Sequence, residues 1–249
     1  MALDRRLLGR RIAVLAADGF EKMELTVPAE ALRAACADVE VVSLRAGRIR
    51  GVNLHEPAAR VAVDRTLADA DPRDYDALLV PGGFIGPDLL RQSQAARDFA
   101  SAFDAAGKPV ATLGHGAWLL ASAGIASGRT LTSWPGIRDD LVHAGATWHD
   151  EAVVRDGNWL TSRSPQDLPR FVSALLDHFA ATPNAGRRAH APRRASAPQR
   201  EAPPRFVLSA LQRLPRRTLG VGAIAVALVT LYAIRARRQR SRPLGLLAA

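Results

Sequence analysis

Residues 109–120, Pro-Val-Ala-Thr-Leu-Gly-His-Gly-Ala-Trp-Leu-Leu, constrain the fold of this chain more than any other stretch. A short, largely apolar run from Val110 to Leu113 meets a Gly114-His115-Gly116 corner, and helix formers follow from Ala117 to Ala123. Such a run suits a strand covered on both faces, as in a parallel sheet between helices. A strand that turns this sharply into a helix holds its corner residue in a strained, outward-facing geometry. In open α/β sheets the carboxyl ends of central strands are where ligands gather. The corner residue here is Gly114, which offers a backbone N–H and no side chain.

Similar runs recur at Ile12–Ala16, Val39–Leu44 and Ala77–Val80, and each reads as a buried strand. Helices are predicted between them. The first runs from about Glu24 to Ala37, with Leu25, Ala29, Leu32 and Cys36 at three-to-four spacing. Others cover Asp88–Ala106, stopped by Gly107, then Ile137–Ala144 and Gln166–Ala180. Arg45–Arg65, punctuated by Gly47, Gly51 and Pro57, predicts a hairpin excursion. Short strands are expected at Arg129–Thr132, near Thr147 and at Val153–Val154, with an Asp156-Gly157 turn leading into Asn158–Thr161. This alternation predicts an α/β domain over residues 1–180: a doubly wound, mostly parallel sheet sandwiched by helices.

Charge divides the chain. Lys and Arg total 34 against 24 Asp and Glu, yet beyond residue 180 there are fourteen arginines and one acid, Glu201. The first 180 residues hold 20 basic and 23 acidic groups, so basicity belongs to the tail and a nucleic-acid-binding core is not expected. Residues 181–205, rich in Ala, Pro and Arg, predict a disordered linker. An interfacial helix is expected at 206–217. Residues 218–234 form an uncharged run of 17, bounded by Arg216-Arg217 and by Arg235, Arg237 and Arg238. That length just reaches the lower limit of roughly 17 residues for a spanning helix, and snorkelling arginines extend its reach. The expectation is a single-pass C-terminal anchor with a basic tail, 235–249. Five arginines flank the run on each side, so charge does not orient it; without an N-terminal export signal, the folded domain is expected on the cytoplasmic side.

One cysteine, Cys36, excludes a disulfide framework and a cysteine-based metal site; it is expected as a buried, inert thiol of the first helix. His143 and His149 lack a third ligand at metal spacing, so no metal site is expected. No phosphate-binding glycine pattern of the Rossmann or P-loop type occurs, and no cofactor is expected. Trp118, Trp134, Trp148 and Trp159 are expected in the core or at subunit contacts.

Several linked motifs share one register: Asp18-Gly19-Phe20-Glu21-Lys22-Met23-Glu24, Tyr75–Gly83, Gly107–Ala111, Gly114-His115-Gly116, Ser133–Asp140 and Val153–Arg163. Over about residues 10–180 the chain resembles the ThiJ/PfpI family of class I glutamine-amidotransferase-like proteins. That resemblance implies a cysteine nucleophile at the corner, followed by His-Gly, with a glutamate after the first strand beside the thiol. By position Glu21 matches the glutamate and His115 the histidine. Gly83 matches a backbone oxyanion donor, with Gly114 and Gly116 completing the pocket. Asp88 matches an acid that reaches a neighbouring subunit, and self-association into a homo-oligomer is implied with it. The cysteine position itself is Gly114, and without a thiolate the family's covalent route is closed. Cys36, in the first helix, does not replace it.

Two readings follow. In the first, a membrane-tethered domain without covalent catalysis acts in binding, oligomer assembly or stress response. In the second, noncovalent hydrolase or lyase chemistry acts on a small carbonyl or amide compound, with Glu21 as base, His115 as acid and water as nucleophile. A weaker third reading makes the arginine-rich tail a sensor of anionic lipid, with the domain as passenger.

Overall fold

The computed structural model describes residues 5–181. Strands β1 (Arg11–Leu15), β2 (Phe20–Glu21) and β3 (Asp38–Ser43) open it, with helix α1 (Lys22–Ala34) between the last two. β4 (Arg48–Asn53) and β5 (Glu56–Ala62) form the expected hairpin, followed by β6 (Arg65–Thr66) and β7 (Ala77–Val80). Helices α2 (Gly86–Gln92) and α3 (Gln94–Ala105) lead to β8 (Val110–Leu113), a 3-10 turn at Gly114–Gly116 and α4 (Ala117–Ser122). Next come β9 (Thr130–Leu131), α5 (Arg138–His143) and β10 (Thr147–Trp148). β11 (Val153–Asp156), β12 (Trp159–Ser162) and α6 (Leu168–Ala180) close the domain.

The main sheet has seven strands in the order β11-β12-β8-β7-β1-β3-β6. All neighbours are parallel except the edge hairpin β11–β12, which turns at Gly157 with φ +58°. Successive strand residues point to opposite faces. Ile12, Val14, Leu79 and Leu113 pack with Leu25 and Leu32 of α1 and with Phe171 and Leu175 of α6. Ala13, Leu15, Leu78 and Val80 pack with Phe99 and Phe103 of α3, Leu119 of α4 and Leu141 of α5. The result is the expected three-layer, doubly wound arrangement. After β1 the chain winds outward through β3 and β6, then crosses back to β7 and β8. The winding therefore reverses beside β1, and the carboxyl ends of β1, β7 and β8 lie together where such folds place their sites.

Trp148 and Trp159 are buried in the core, as expected. The single helix expected over Asp88–Ala106 is instead two. Ser93 adopts an extended backbone (φ −81°, ψ 121°), and its Oγ accepts the Ala96 N–H at 3.3 Å. That cap starts α3 afresh, because a serine cap competes with continuation of the preceding helix.

Cys36 also departs from expectation. It is half-buried and lies past the end of α1, at φ +69°. Its N–H donates to the Arg33 carbonyl at 2.9 Å and the Ala37 N–H to the Leu32 carbonyl at 3.1 Å. These bonds make the helix end a Schellman motif, with cysteine where glycine usually sits. A left-handed L-residue costs roughly 1–2 kcal/mol, partly offset because glycine has more freedom to lose on folding. Cys36→Gly is therefore expected to raise stability by roughly 0.5–1 kcal/mol, read as a higher urea midpoint at unchanged slope.

Among the described residues no helix is long and apolar enough to cross a membrane. The expected linker 181–205, apart from Ala181, together with the interfacial helix 206–217, the spanning helix 218–234 and the tail 235–249, lies outside the described residues.

Candidate active site

Three neighbouring strands each end in a tight turn, and the turns meet. β8 ends in Gly114, whose φ of +52° is a conformation glycine adopts without penalty. The Gly114 carbonyl accepts the Trp134 N–H at 3.2 Å, which fixes the corner from outside the sheet. A β-carbon built on Gly114 would sit 3.2 Å from both carboxylate oxygens of Glu24 and 3.6 Å from the Arg163 carbonyl oxygen. The space where a nucleophile's side chain would begin is thus walled by an acid.

That acid is Glu24, not Glu21. Glu24 lies in the first turn of α1, is buried, and its Oε2 accepts the Gly82 N–H at 2.8 Å. Burial, and then the nearby Glu21 carboxylate, push its pKa up to about 8 against the opposing pull of the Gly82 N–H. Glu21, at the end of β2, turns toward the β4–β5 hairpin, where its Oε2 accepts the Leu54 N–H at 2.8 Å. Its pKa is also raised by burial, opposed by the Leu54 and Met23 N–H groups. Glu21 is the acid that the family motif matches by position, with the helix expected from about Glu24. The helix in fact begins at Lys22, and that start carries Glu24 around onto the sheet-facing side.

The glycines around the corner are required by packing. A β-carbon on Gly82 would collide with Glu24 Oε2 and lie 2.7 Å from the Leu113 carbonyl oxygen. On Gly83, at φ +92°, it would lie 2.5 Å from the Glu21 nitrogen and 2.6 Å from the Gly19 oxygen. On Gly116 it would press on the Thr112 hydroxyl and lie 2.6 Å from the Val80 oxygen. Gly114 differs from these three, since its missing side chain faces a polar wall with room for a modest adjustment.

His115 follows the corner but packs away from Glu24 into an aromatic setting. Its ring stacks on Trp134 (centroids 5.8 Å apart, planes at 23°) and touches Trp118 at 5.1 Å and Phe84 at 6.4 Å. Burial pushes its pKa down to about 4, so the ring is neutral at pH 7. Trp118 is held in turn by donation of Nε1 to Asp140 at 2.8 Å and by the Arg91 guanidinium 4.6 Å above its ring. Asp88, in the first turn of α2, accepts from Arg91 Nε at 2.9 Å and from Gln92 Nε2 at 3.0 Å. The structure thus brings Gly83, Gly114 and Gly116 together with Glu24, puts Glu21 beside that group, and sets His115 and Asp88 on its rim.

Glu24 makes stability fall with rising pH. Its folded-state pKa lies above its unfolded value, so its contribution is fully present below about pH 4.5 and is lost as pH rises through about 8. Over that window the loss proceeds at up to ~1.4 kcal/mol per pH unit, and Glu24→Gln is expected to flatten it. Urea unfolding at several pH values, parent against variant, checks the sign.

Comparison with known proteins agrees with this arrangement. The chain is 41% identical over 166 residues to the deglycase PfpI of Pyrococcus furiosus, covering 67% of this chain and 97% of that protein. The crystal structure of Drosophila melanogaster DJ-1beta matches with a TM-score of 0.64 and 28% identity, over 70% of this chain and 91% of that one. A two-domain protein from Anabaena variabilis, with DJ-1/ThiJ/PfpI-like and ferritin-like domains, matches with a TM-score of 0.64 and 31% identity. The match covers 68% of this chain and 47% of that one. With the family model for DJ-1/PfpI matched over residues 10–178, and a β8 corner backed by a buried glutamate, the chain belongs to the DJ-1/PfpI family.

Proposed function

We propose that this chain is a DJ-1/PfpI domain that binds a small carbonyl compound or glycated amine at the Gly114 corner without forming a covalent adduct. A C-terminal anchor at 218–234 would hold it to a membrane, and it would self-associate. One observation carries the reading: the position facing both Glu24 oxygens at 3.2 Å, where a nucleophile would start, bears no side chain. The deglycase name of the Pyrococcus furiosus relative supports the ligand class. Exposed Phe84, Ile85 and Leu89, at 45%, 42% and 39% of full exposure, support self-association beside the corner. The test is Gly114→Cys, assayed with methylglyoxal and a glycated amine beside the parent chain.

A second reading, water-based chemistry, is favoured by the raised pKa of Glu24, which suits a general base near neutral pH. It places the base at Glu24 instead of Glu21. It also drops His115 as the acid, because that ring is neutral at pH 7 and packed among tryptophans. Turnover by the parent chain that disappears in Glu24→Gln would establish it over the first.

A further inference from the structure

Away from the corner, the β4–β5 hairpin carries a concentration of positive charge that its surroundings do not balance. An open depression of about 470 Å³ is lined by Arg45, Arg48, Arg50, Arg60 and one acid, Asp18. Asp18 is already occupied. Its carboxylate accepts two bonds from Arg45, from Nε and Nη2 at 2.8 Å, and one from the Arg50 backbone N–H at 2.9 Å. Arg48 Nη2 donates to the Arg60 carbonyl at 3.2 Å, which orients its guanidinium without offsetting its charge. Among the described residues no carboxylate lies within ion-pair distance of Arg48, Arg50 or Arg60.

The strand register makes this arrangement costly when empty. Arg50 and Arg60 are directly opposed across the antiparallel pair and both are exposed, so their side chains share one face. Like charges directly opposite each other destabilise a sheet. The first 180 residues are acidic overall, with 23 acids to 20 bases, so the cluster is not the spill-over of a generally basic surface. A concave group of guanidinium forks carried on two paired strands matches the tetrahedral oxygens of a phosphate, which arginine grips by paired N–H bonds.

We infer that the depression between Asp18, Arg48, Arg50 and Arg60 is a binding site for a phosphate or diphosphate group. The group would be carried by a soluble organophosphate or by the headgroup of an anionic lipid. Arg50 and Arg60 supply the opposed forks, Arg48 a third cation beside them, and Arg45 holds the Asp18 carboxylate. The site joins the candidate active site through Gly19, whose N–H donates to the Arg50 carbonyl at 2.7 Å.

The test compares the full chain with its Arg50→Gln/Arg60→Gln variant by calorimetric titration with sodium pyrophosphate. Both are also tested for retention on phosphatidylcholine vesicles with and without phosphatidic acid. Parent and variant share the same basic tail, so a difference reports on the hairpin alone. Saturable pyrophosphate binding that weakens roughly 10- to 100-fold in the variant supports the site and a soluble source. A variant defect confined to phosphatidic acid vesicles supports the site and a lipid source. Identical behaviour of parent and variant in both arms overturns it. Because removing an opposed like charge relieves repulsion, the variant should melt at or above the parent temperature. Arg48→Gln supplies the same readout if the double variant fails to melt cooperatively.

Discussion

The Gly114→Cys substitution is expected to give the domain a thiol-dependent activity on methylglyoxal or a glycated amine at least roughly 10³-fold above the parent chain. That floor is conservative, since removing the nucleophile of a covalent mechanism typically costs more, up to about 10⁶-fold in rate. The turn is already shaped for it, with φ at +52° and obligate glycines at 82, 83 and 116 keeping neighbouring backbone clear. The new β-carbon would meet the Glu24 oxygens at 3.2 Å, so the carboxyl group must give by a few tenths of an ångström. At pH 7 Glu24 is largely protonated, and its O–H can donate to the sulfur and favour thiolate. The same change should lower stability by roughly 1–2 kcal/mol, because an L-residue would then occupy a left-handed corner. Activity and melting temperature should therefore move in opposite directions. A folded variant whose introduced thiol is alkylated by iodoacetamide, yet which turns nothing over, would show that the pocket has changed in more than its nucleophile.

The second large effect is structural. Arg129→Ala is expected to destabilise the domain by about 3–5 kcal/mol, the usual result of leaving one member of a buried ion pair alone. Arg129 is only 3% exposed. Its guanidinium pairs with Asp104, lies 4.5 Å above the Trp159 ring, and donates to the Asp156 carbonyl at 3.4 Å. Asp104 also accepts from Trp159 Nε1 at 2.7 Å and Asn158 Nδ2 at 3.4 Å, so these groups tie α3 to β9 and to the β11–β12 turn. Removing the arginine leaves the Asp104 carboxylate without its cation, held by neutral donors alone, and uncovers a tryptophan as well. In a domain of this size the melting temperature should fall by roughly 6–20 °C. Adding Asp104→Asn should recover part of the loss, since the two positions act as one unit. A loss below about 1 kcal/mol for Arg129→Ala alone would mean that water replaces the ion pair at little cost.

β1, β7 and β8 were legible in the sequence because each is a local pattern, four or five mostly apolar residues followed within four residues by glycine. The two-residue β2 and β6 carry no such pattern and are strands only through pairing with β4 and β3. Ser93 was legible only in hindsight, since a serine cap inside a helical stretch competes with continuation and the balance is set by packing. Glu21 was assigned by its place in the family motif; that Glu24, three residues on, is the acid facing Gly114 follows from how α1 packs on the sheet, which residue types alone do not encode. Cys36 fits the apolar spacing of the helix; only the backbone shows that the helix has ended before it. The opposition of Arg50 and Arg60 depends on a hairpin register that includes an irregularity between Arg50 and Val52, which side-chain types alone do not encode.

A bare backbone at the β8 corner has a consequence for how long the pocket lasts. Low-pKa, accessible thiols are the groups that peroxides convert to sulfenic and then irreversible sulfinic acids. With hydrogen at position 114, no such ladder exists at this site. On the binding role proposed above, a ligand would be held there by shape and protonation alone, and that hold would be indifferent to peroxide or thiol-modifying electrophiles that silence a sulfur-bearing counterpart.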